Sequence, residues 1–269
     1  MEEVRGMDNR DRIAHAFVGA RQQARGLPTY PGERPTTLVE AYAIQDRAIA
    51  IDGRQVVGWK VGRINAPLDG TLGSNRLAGP IFADQVVGGE ADALPVIADG
   101  FAAAEAEYCV RIGRSSSGLS GLTLDQALDL VDAVHVGVEI ASSPYPGINA
   151  DGPVVTISDY GNNFGLLIGE EVPGWRDLSF LDWPVESRID GAVVGSASAR
   201  TMLDGPIGAV AFLVDCLAAR GVSLEPGQWV SSGAVTGVHG IAPGQRFEAD
   251  FGDMRVACGI VAAGERVAG

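Results

Sequence analysis

Three glutamates and one lysine are the residues of this sequence best placed to do chemistry. Residues 101–113 read Phe-Ala-Ala-Ala-Glu-Ala-Glu-Tyr-Cys-Val-Arg-Ile-Gly. As a strand, this stretch points Ala104, Ala106, Tyr108, Val110 and Ile112 one way and Glu105, Glu107 and Cys109 the other. Residues 134–140 alternate too, with Val134, Val136, Val138 and Ile140 on one face and Glu139 opposite. If the two strands lie close in space, three carboxylates converge. Two bare carboxylates ~4 Å apart repel by about 4 kcal/mol at an effective dielectric near 20, so three stay ionised together only beside a counter-cation. Oxygen-only ligands suit a hard divalent ion, Mg2+ or Mn2+. The alternative is that Glu105 and Glu107 line the solvated face of an antiparallel strand. Lys60 lies in a second unusual setting, Gln-Val-Val-Gly-Trp-Lys-Val-Gly at 55–62. It reads either as a lysine snorkelling from an edge strand or as a cation aimed at a bound carboxylate or enolate.

The elements that must position these groups are legible in order. Ile13, Ala14, Phe17, Val18 and Ala24 have helical spacing. A loop composition covers 26–35, and Thr37 with Glu40 forms a capping box for a helix over 38–50. After the lysine strand, 63–79 has little periodicity and is expected to be an irregular lid, with a strand resuming at 80–87. Thr123 and Gln126 form a second capping box, opening a helix that delivers the chain to the Glu139 strand. Residues 154–169 read as strand, polar turn, strand; Asp159, Asn162 and Asn163 in the turn are either ligand-orienting groups or ordinary turn formers. A hairpin around Asp190 and Gly191, a helix starting at Pro206, and strands near 229–231, 241–252 and 255–262 complete the chain. Strands with few helices indicate an α+β fold. The expected organisation is an N-terminal helical region, 1–50, packed on a catalytic domain spanning 51–269.

Bulk properties narrow the partners. The chain of 269 residues has a net charge of −14, which disfavours nucleic acid and anionic membranes and obliges an anionic substrate to find local positive charge. The first ten residues carry no hydrophobic signal region, and the apolar run 207–219 contains Asp215 and is too short to span a bilayer. Three cysteines without a CxxC spacing suggest free thiols in a reducing, cytoplasmic setting. No histidine or cysteine spacing suits zinc, and no nucleophile elbow supports a hydrolytic triad.

Taken together, these residues resemble the 2-keto-4-pentenoate hydratase / 4-oxalocrotonate decarboxylase family of the fumarylacetoacetate hydrolase superfamily. The resemblance spans roughly 37–261. It rests on Ala-Tyr-Ala-Ile-Gln at 41–45, Gly-Trp-Lys-Val-Gly at 58–62, Glu-Ala-Glu at 105–107, the lone Glu139, Ile-Ser-Asp at 157–159, Ser-Gly-Ala-Val-Thr at 232–236 and Pro-Gly-Gln-Arg-Phe at 243–247. It implies a fumarylacetoacetase-like mixed β-roll with the N-terminal helices packed on it. It implies Mg2+ or Mn2+ on Glu105, Glu107 and Glu139, with Lys60 and Asp159 as catalytic groups. Arg63, Leu72, Asn163, Gly233 and Thr236 are expected to contact substrate, and the chain is expected to form a homo-oligomer. The implied reaction is hydration of a 2-hydroxydienoate or 2-oxoenoate in the catabolism of aromatic or related compounds. Decarboxylation or C–C hydrolysis on the same scaffold, or a non-catalytic partner subunit, are the alternatives. Two departures stand out. Gly62-Arg-Ile-Asn65 replaces the family's Gly-Leu-Thr-Ser, and Leu77 stands near the position of its usual acid/base aspartate. Arg63 and Arg76 read either as solvated loop arginines or as ligands for a second carboxylate.

Overall fold

The computed structural model describes residues 7–89 and 91–264. Residues 1–6, part of the N-terminal stretch read above for targeting signals, lie outside them. The helices are α1 (Asn9–Gln22), α2 (Leu38–Asp52), α3 (Leu68–Leu72), α4 (Leu124–Leu128), α5 (Pro153–Ser158) and α6 (Gly205–Ala218). The strands are β1 (Val56–Arg63), β2 (Arg76–Phe82), β3 (Val86–Gly88), β4 (Ala91–Val96), β5 (Phe101–Ile112), β6 (Val131–Ser143), β7 (Asn163–Glu171), β8 (Val185–Ile189), β9 (Ala192–Ala197), β10 (Trp229–Ser231), β11 (His239–Gly240), β12 (Arg246–Phe251) and β13 (Met254–Ala262). None of these helices is long and apolar enough to cross a membrane.

The strands form two sheets. The larger runs β2-β1-β10-β5-β6-β7-β3, with β11 added on β5; the smaller runs β4-β13-β12-β8-β9. The long pair β5–β6 is the spine. Its apolar face, including Ala106, Tyr108, Val136 and Val138, shares one core with Phe247, Phe251, Val256 and Ile260 of the smaller sheet and with Val210, Leu213 and Leu217 of α6. The other face turns inward. The larger sheet curls so that β2 packs against β7. Ile81, Cys109, Leu166 and Ile168 meet there as a small apolar cluster on the side that carries the glutamates.

The N-terminal helices cover one end of this curl. The Thr37 capping box forms, starting α2, and Gly53 closes that helix at φ 70°. Gln45 on α2 is fully buried and donates to the carbonyls of Ala78 on β2 and Ile157 on α5, both at 2.9 Å. Ala14, Val18 and Ala48 pack on Phe82 and Tyr160, so both helices lie against β2 and the turn after α5.

The structure corrects three sequence expectations. Residues 154–158 form the helix α5, not a strand: Pro153 starts it, and the Thr156 hydroxyl donates back to the carbonyls of Ile148 at 2.9 Å and Gly152 at 3.2 Å. A run of β-branched residues favours a strand, and the helical start at Pro153 with these local bonds overrides that preference. Residues 63–79 are not an irregular lid throughout. β2 begins at Arg76 and pairs with β1 out to Arg63, leaving only the segment bearing α3 between them. The capping box at Thr123 opens a helix of only five residues, because β6 already begins at Val131.

Candidate metal centre and cavity

Strand alternation and register assemble the acidic cluster. Glu105 and Glu107 share one face of β5, and antiparallel pairing sets Glu139 directly opposite Glu105 and Gly137 opposite Glu107. One carboxylate oxygen from each of Glu105, Glu107 and Glu139 lies within 4.8 Å of the others. Like charges directly opposite across a strand pair destabilise it. Here they are also out of water: Glu107 and Glu139 are 0% exposed and Glu105 is 5% exposed.

Lys60 joins them from β1. Its Nζ lies 3.3 Å from Glu139 Oε1 and donates to Asn162 Oδ1 at 3.2 Å. Asn163 Nδ2 donates to the same Glu139 oxygen at 2.9 Å. Glu107 Oε2 accepts from the Ser231 hydroxyl and, at 3.0 Å, from the Gly233 backbone N–H. Gly233 reaches it with φ 111°, in a region that side chains avoid. The turn bearing the two asparagines is left-handed at Tyr160, Gly161 and Asn162, with φ of 58°, 61° and 61°. It presses so closely on β2 that a Cβ on Gly79 would lie 1.9 Å from the Tyr160 carbonyl oxygen. Glycine is therefore obligatory at that position.

The electrostatics follow from this geometry. Burial pushes Glu105 up to about 7, with Glu139 adding to the shift and Lys60 opposing it. Burial, Glu139 and Glu105 together hold Glu107 well above the ordinary carboxylate range. Burial pulls Lys60 down, but the three carboxylates outweigh it and raise its pKa, so it stays an ammonium. Were all three ionised, the carboxylates and one ammonium would leave two negative charges uncompensated, and the raised Glu105 and Glu107 show that the fold does not carry that charge without a cation. Glu107 Oε1 and Glu139 Oε2 are buried without a hydrogen-bond partner among the described residues. Orphaned oxygens, a double negative excess and a hard, oxygen-only donor set all fit a divalent cation such as Mg2+ or Mn2+. The triad could hold one.

A cavity of about 700 Å³ opens beside the cluster. Its polar lining includes Lys60, Glu105, Asn149, Thr156, Asn162 and Ser232. Ile64, Leu77, Met202 and Val235 contribute apolar surface, and Arg63 and Arg76 contribute two cations. Ser232 Oγ is buried and has no partner among the described residues. Among the described residues, neither histidine nor aspartate lines this space.

The remaining residues expected at the site divide. Arg63 and Gly233 line the cavity. Asn163 stands behind Glu139, holding its carboxylate rather than lining the cavity. Three expectations need correction. Asp159 does not face the cavity; it accepts from Arg21 Nε at 2.5 Å and Nη2 at 3.0 Å, and both side chains are buried. Clamped by Arg21 and outside the cavity lining, it has no contact through which to act on a substrate there. Leu72 sits outside the cavity lining, against the apolar cluster of Ala41, Ile64, Leu77 and Ile157. Thr236 also stands apart, bonded through its hydroxyl to Ser187 at 2.7 Å and to His239 at 3.1 Å. Arg76 is not a solvated loop arginine but a strand residue only 7% exposed. Sequence reasoning missed Ser231 and Arg21. Ser231 stands beside Lys60 and Cys109 in the β1–β10–β5 register, which only strand pairing reveals. Arg21 lies 138 positions from Asp159 and carries no local signal.

No protein-family model matches the chain. Among curated proteins, the 2-keto-4-pentenoate hydratase of Paraburkholderia xenovorans is 27% identical over 246 residues, covering 89% of this chain and 90% of the relative. The 4-oxalocrotonate decarboxylase of Pseudomonas putida is 25% identical over 239 residues, covering 86% and 89%. Among solved structures, the 4-oxalocrotonate decarboxylase from Pseudomonas putida G7, complexed with magnesium and adipate, superposes with a TM-score of 0.77 at 20% identity, covering 94% of this chain and 97% of that one. The chain is thus similar over most of its length to 2-keto-4-pentenoate hydratases and 4-oxalocrotonate decarboxylases, and it shares the fold of the solved decarboxylase.

Proposed function

We propose that this protein is a divalent-metal-dependent hydro-lyase that adds water to a 2-hydroxydienoate or 2-oxoenoate, in the catabolism of aromatic or related compounds. One observation carries the reading: three buried carboxylates with orphaned oxygens converge beside a buried ammonium at a cavity sized for a small acid. The curated hydratase relatives support it.

Glu105, Glu107 and Glu139 would hold Mg2+ or Mn2+. The chemistry such an ion would supply there is Lewis acidity toward a 2-oxo acid. Ser231 and the Gly233 N–H fix Glu107, while Asn163 and Lys60 fix Glu139, so the ligand oxygens are pre-set. Lys60, kept protonated by its acidic neighbours, donates to the oxygen on which charge gathers as the dienol ketonises. Asn162 restrains its swing. With Asp159 sequestered, Lys60 is also the group we assign to carry the proton of ketonisation: its ammonium protonates the distal substrate carbon, and the resulting amine takes up the proton that the enol hydroxyl releases. The free Ser232 hydroxyl offers a donor to the substrate carboxylate, and Leu77, Ile64 and Val235 keep water from the hydrocarbon chain. Residues 1–50 act as a helical cover for a catalytic domain spanning 51–269, and the protein works as a cytoplasmic homo-oligomer on a small 2-oxo acid. The acidic charge and three free thiols support that setting.

The test is turnover of a 2-hydroxydienoate by the purified chain with Mg2+ or Mn2+, followed by product analysis. A 4-hydroxy-2-oxo acid is expected, and activity should vanish with chelator and in Glu107→Gln. Unchanged turnover under both treatments refutes the reading. The decarboxylase relatives favour a second reading on the same scaffold, which release of CO2 in place of hydrated product would select.

A further inference from the structure

The ammonium of Lys60 is held by a chain of two asparagine side chains that ends at the cavity wall. An ammonium has hydrogens to give and no lone pair, so the Asn162 amide must turn its oxygen to Lys60 Nζ, 3.2 Å away. That leaves its nitrogen facing the other way, where Nδ2 donates to Asn149 Oδ1 at 3.0 Å. The polarity of the chain is thereby fixed. Asn149 must offer an acceptor, and without one the Asn162 amide is free to rotate.

Asn149 is exposed at the cavity, whereas Asn162 and Lys60 are buried. An exposed residue positions a buried one only if its own place is set, and here it is. Asn149 lies in the loop between β6 and α5. Its carbonyl accepts from the Gly152 N–H at 3.3 Å, and the carbonyl of its buried neighbour Ile148 accepts from the Thr156 hydroxyl at 2.9 Å. Two positions on, Asp151 takes both the Tyr145 hydroxyl and the Arg34 guanidinium. The turn after α5 also presses on the lysine stem: a Cβ on Gly161 would lie 3.1 Å from Lys60 Cδ. The restraint matters because Lys60 stands against three carboxylates. Let loose, its ammonium would settle deeper among their oxygens and compete there with a cation.

We propose that Asn149 is a positioning residue: acting through Asn162, it holds the Lys60 ammonium back from the acidic cluster and at the cavity. The inference rests on the reading that the glutamates hold a divalent ion and that Lys60 serves the substrate; it adds the group that keeps the two cations apart.

Isothermal titration of the full chain with Mn2+ tests it without recourse to turnover. Asn149→Leu is expected to weaken Mn2+ binding about fivefold, the scale of one lost hydrogen bond. The same substitution made on top of Lys60→Met is expected to change nothing, because no ammonium is left to misplace. Asn162→Gly, which the φ of 61° accommodates, supplies a second background in which Asn149→Leu should be silent, and it decides the matter should the Lys60 variants fail to fold. In turnover of a 2-hydroxydienoate, Asn149→Leu should lower kcat about tenfold, and Asn149→Asp, which keeps an acceptor for Asn162, should retain most of it. Mn2+ affinity untouched by Asn149→Leu in the otherwise wild-type chain, or an equal loss with and without Lys60, overturns the positioning role while leaving the metal reading intact. A wild-type chain that binds no Mn2+ overturns both.

Discussion

Asp159→Asn removes one charge from a pair that the fold has sealed away from water. The Asp159 side chain is 0% exposed and that of Arg21 is 2% exposed. The guanidinium meets both carboxylate oxygens and also donates to the carbonyls of Asn163 at 2.8 Å and Ser142 at 3.0 Å. With the aspartate neutralised, those carbonyls remain but the counter-charge is gone. Breaking a buried pair from one side costs about 3–5 kcal/mol, because the remaining charge stays desolvated. Urea unfolding should therefore show a loss of that size, with the denaturant slope unchanged. The pair also anchors the left-handed turn that aims Asn162 at Lys60 and Asn163 at Glu139. Mn2+ affinity should fall in the same variant, although Asp159 is no ligand. The double variant Arg21→Met/Asp159→Leu replaces both charges with apolar groups and should recover much of the stability. A single-variant loss below about 1 kcal/mol, or a double variant no more stable than either single one, would refute the account of the pair as a buried anchor.

Glu105→Gln removes one carboxylate from a crowded trio. It should raise the melting temperature of the metal-free protein while abolishing the upward shift that excess Mn2+ produces, which for an intact site at 100 times Kd amounts to about 2.7 kcal/mol; a calorimetric scan with and without Mn2+ reads both. Lys60→Met removes a cation next to the ligands, so Mn2+ should bind at least as tightly by titration while kcat falls by about 10² or more. Asp250 is held below the ordinary aspartate value chiefly by its hydrogen bond from Arg255, with Arg188 assisting and slight burial opposing. A depressed folded pKa contributes stability that is complete above the unfolded value of 3.8 and is lost as pH falls through the lower folded value. The stability gap between wild type and Asp250→Asn, measured by urea unfolding, should thus be full at neutral pH and close below about pH 4; high salt should narrow it throughout.

The parts of this molecule set by local rules were legible in its sequence. The period-two pattern of β5 and β6 placed the three glutamates on one face, and Thr37 with Glu40 marked the start of α2 because a capping box needs only four consecutive residues. What escaped was decided across the chain. Val154 to Ser158 leans toward strand by its β-branched side chains; Pro153 and the bonds from Thr156 to preceding carbonyls overrode that lean. Arg76 looked solvated beside glycines and an asparagine, and only its pairing with β1 buried it. Asp159 looked available because its partner Arg21 is on the first helix.

The face-to-face register of Glu105 and Glu139 has a consequence for how the chain folds. Side chains on a strand change sides with every step, so slipping β5 by one position would drive its two acids into the apolar layer occupied by Val136, Val138 and Phe251. A misaligned pairing could not then be retained as a near-native trap. The groups that make this ladder costly to close also act as its proofreader, and a cation arriving during folding would latch the one alignment in which all three can reach it.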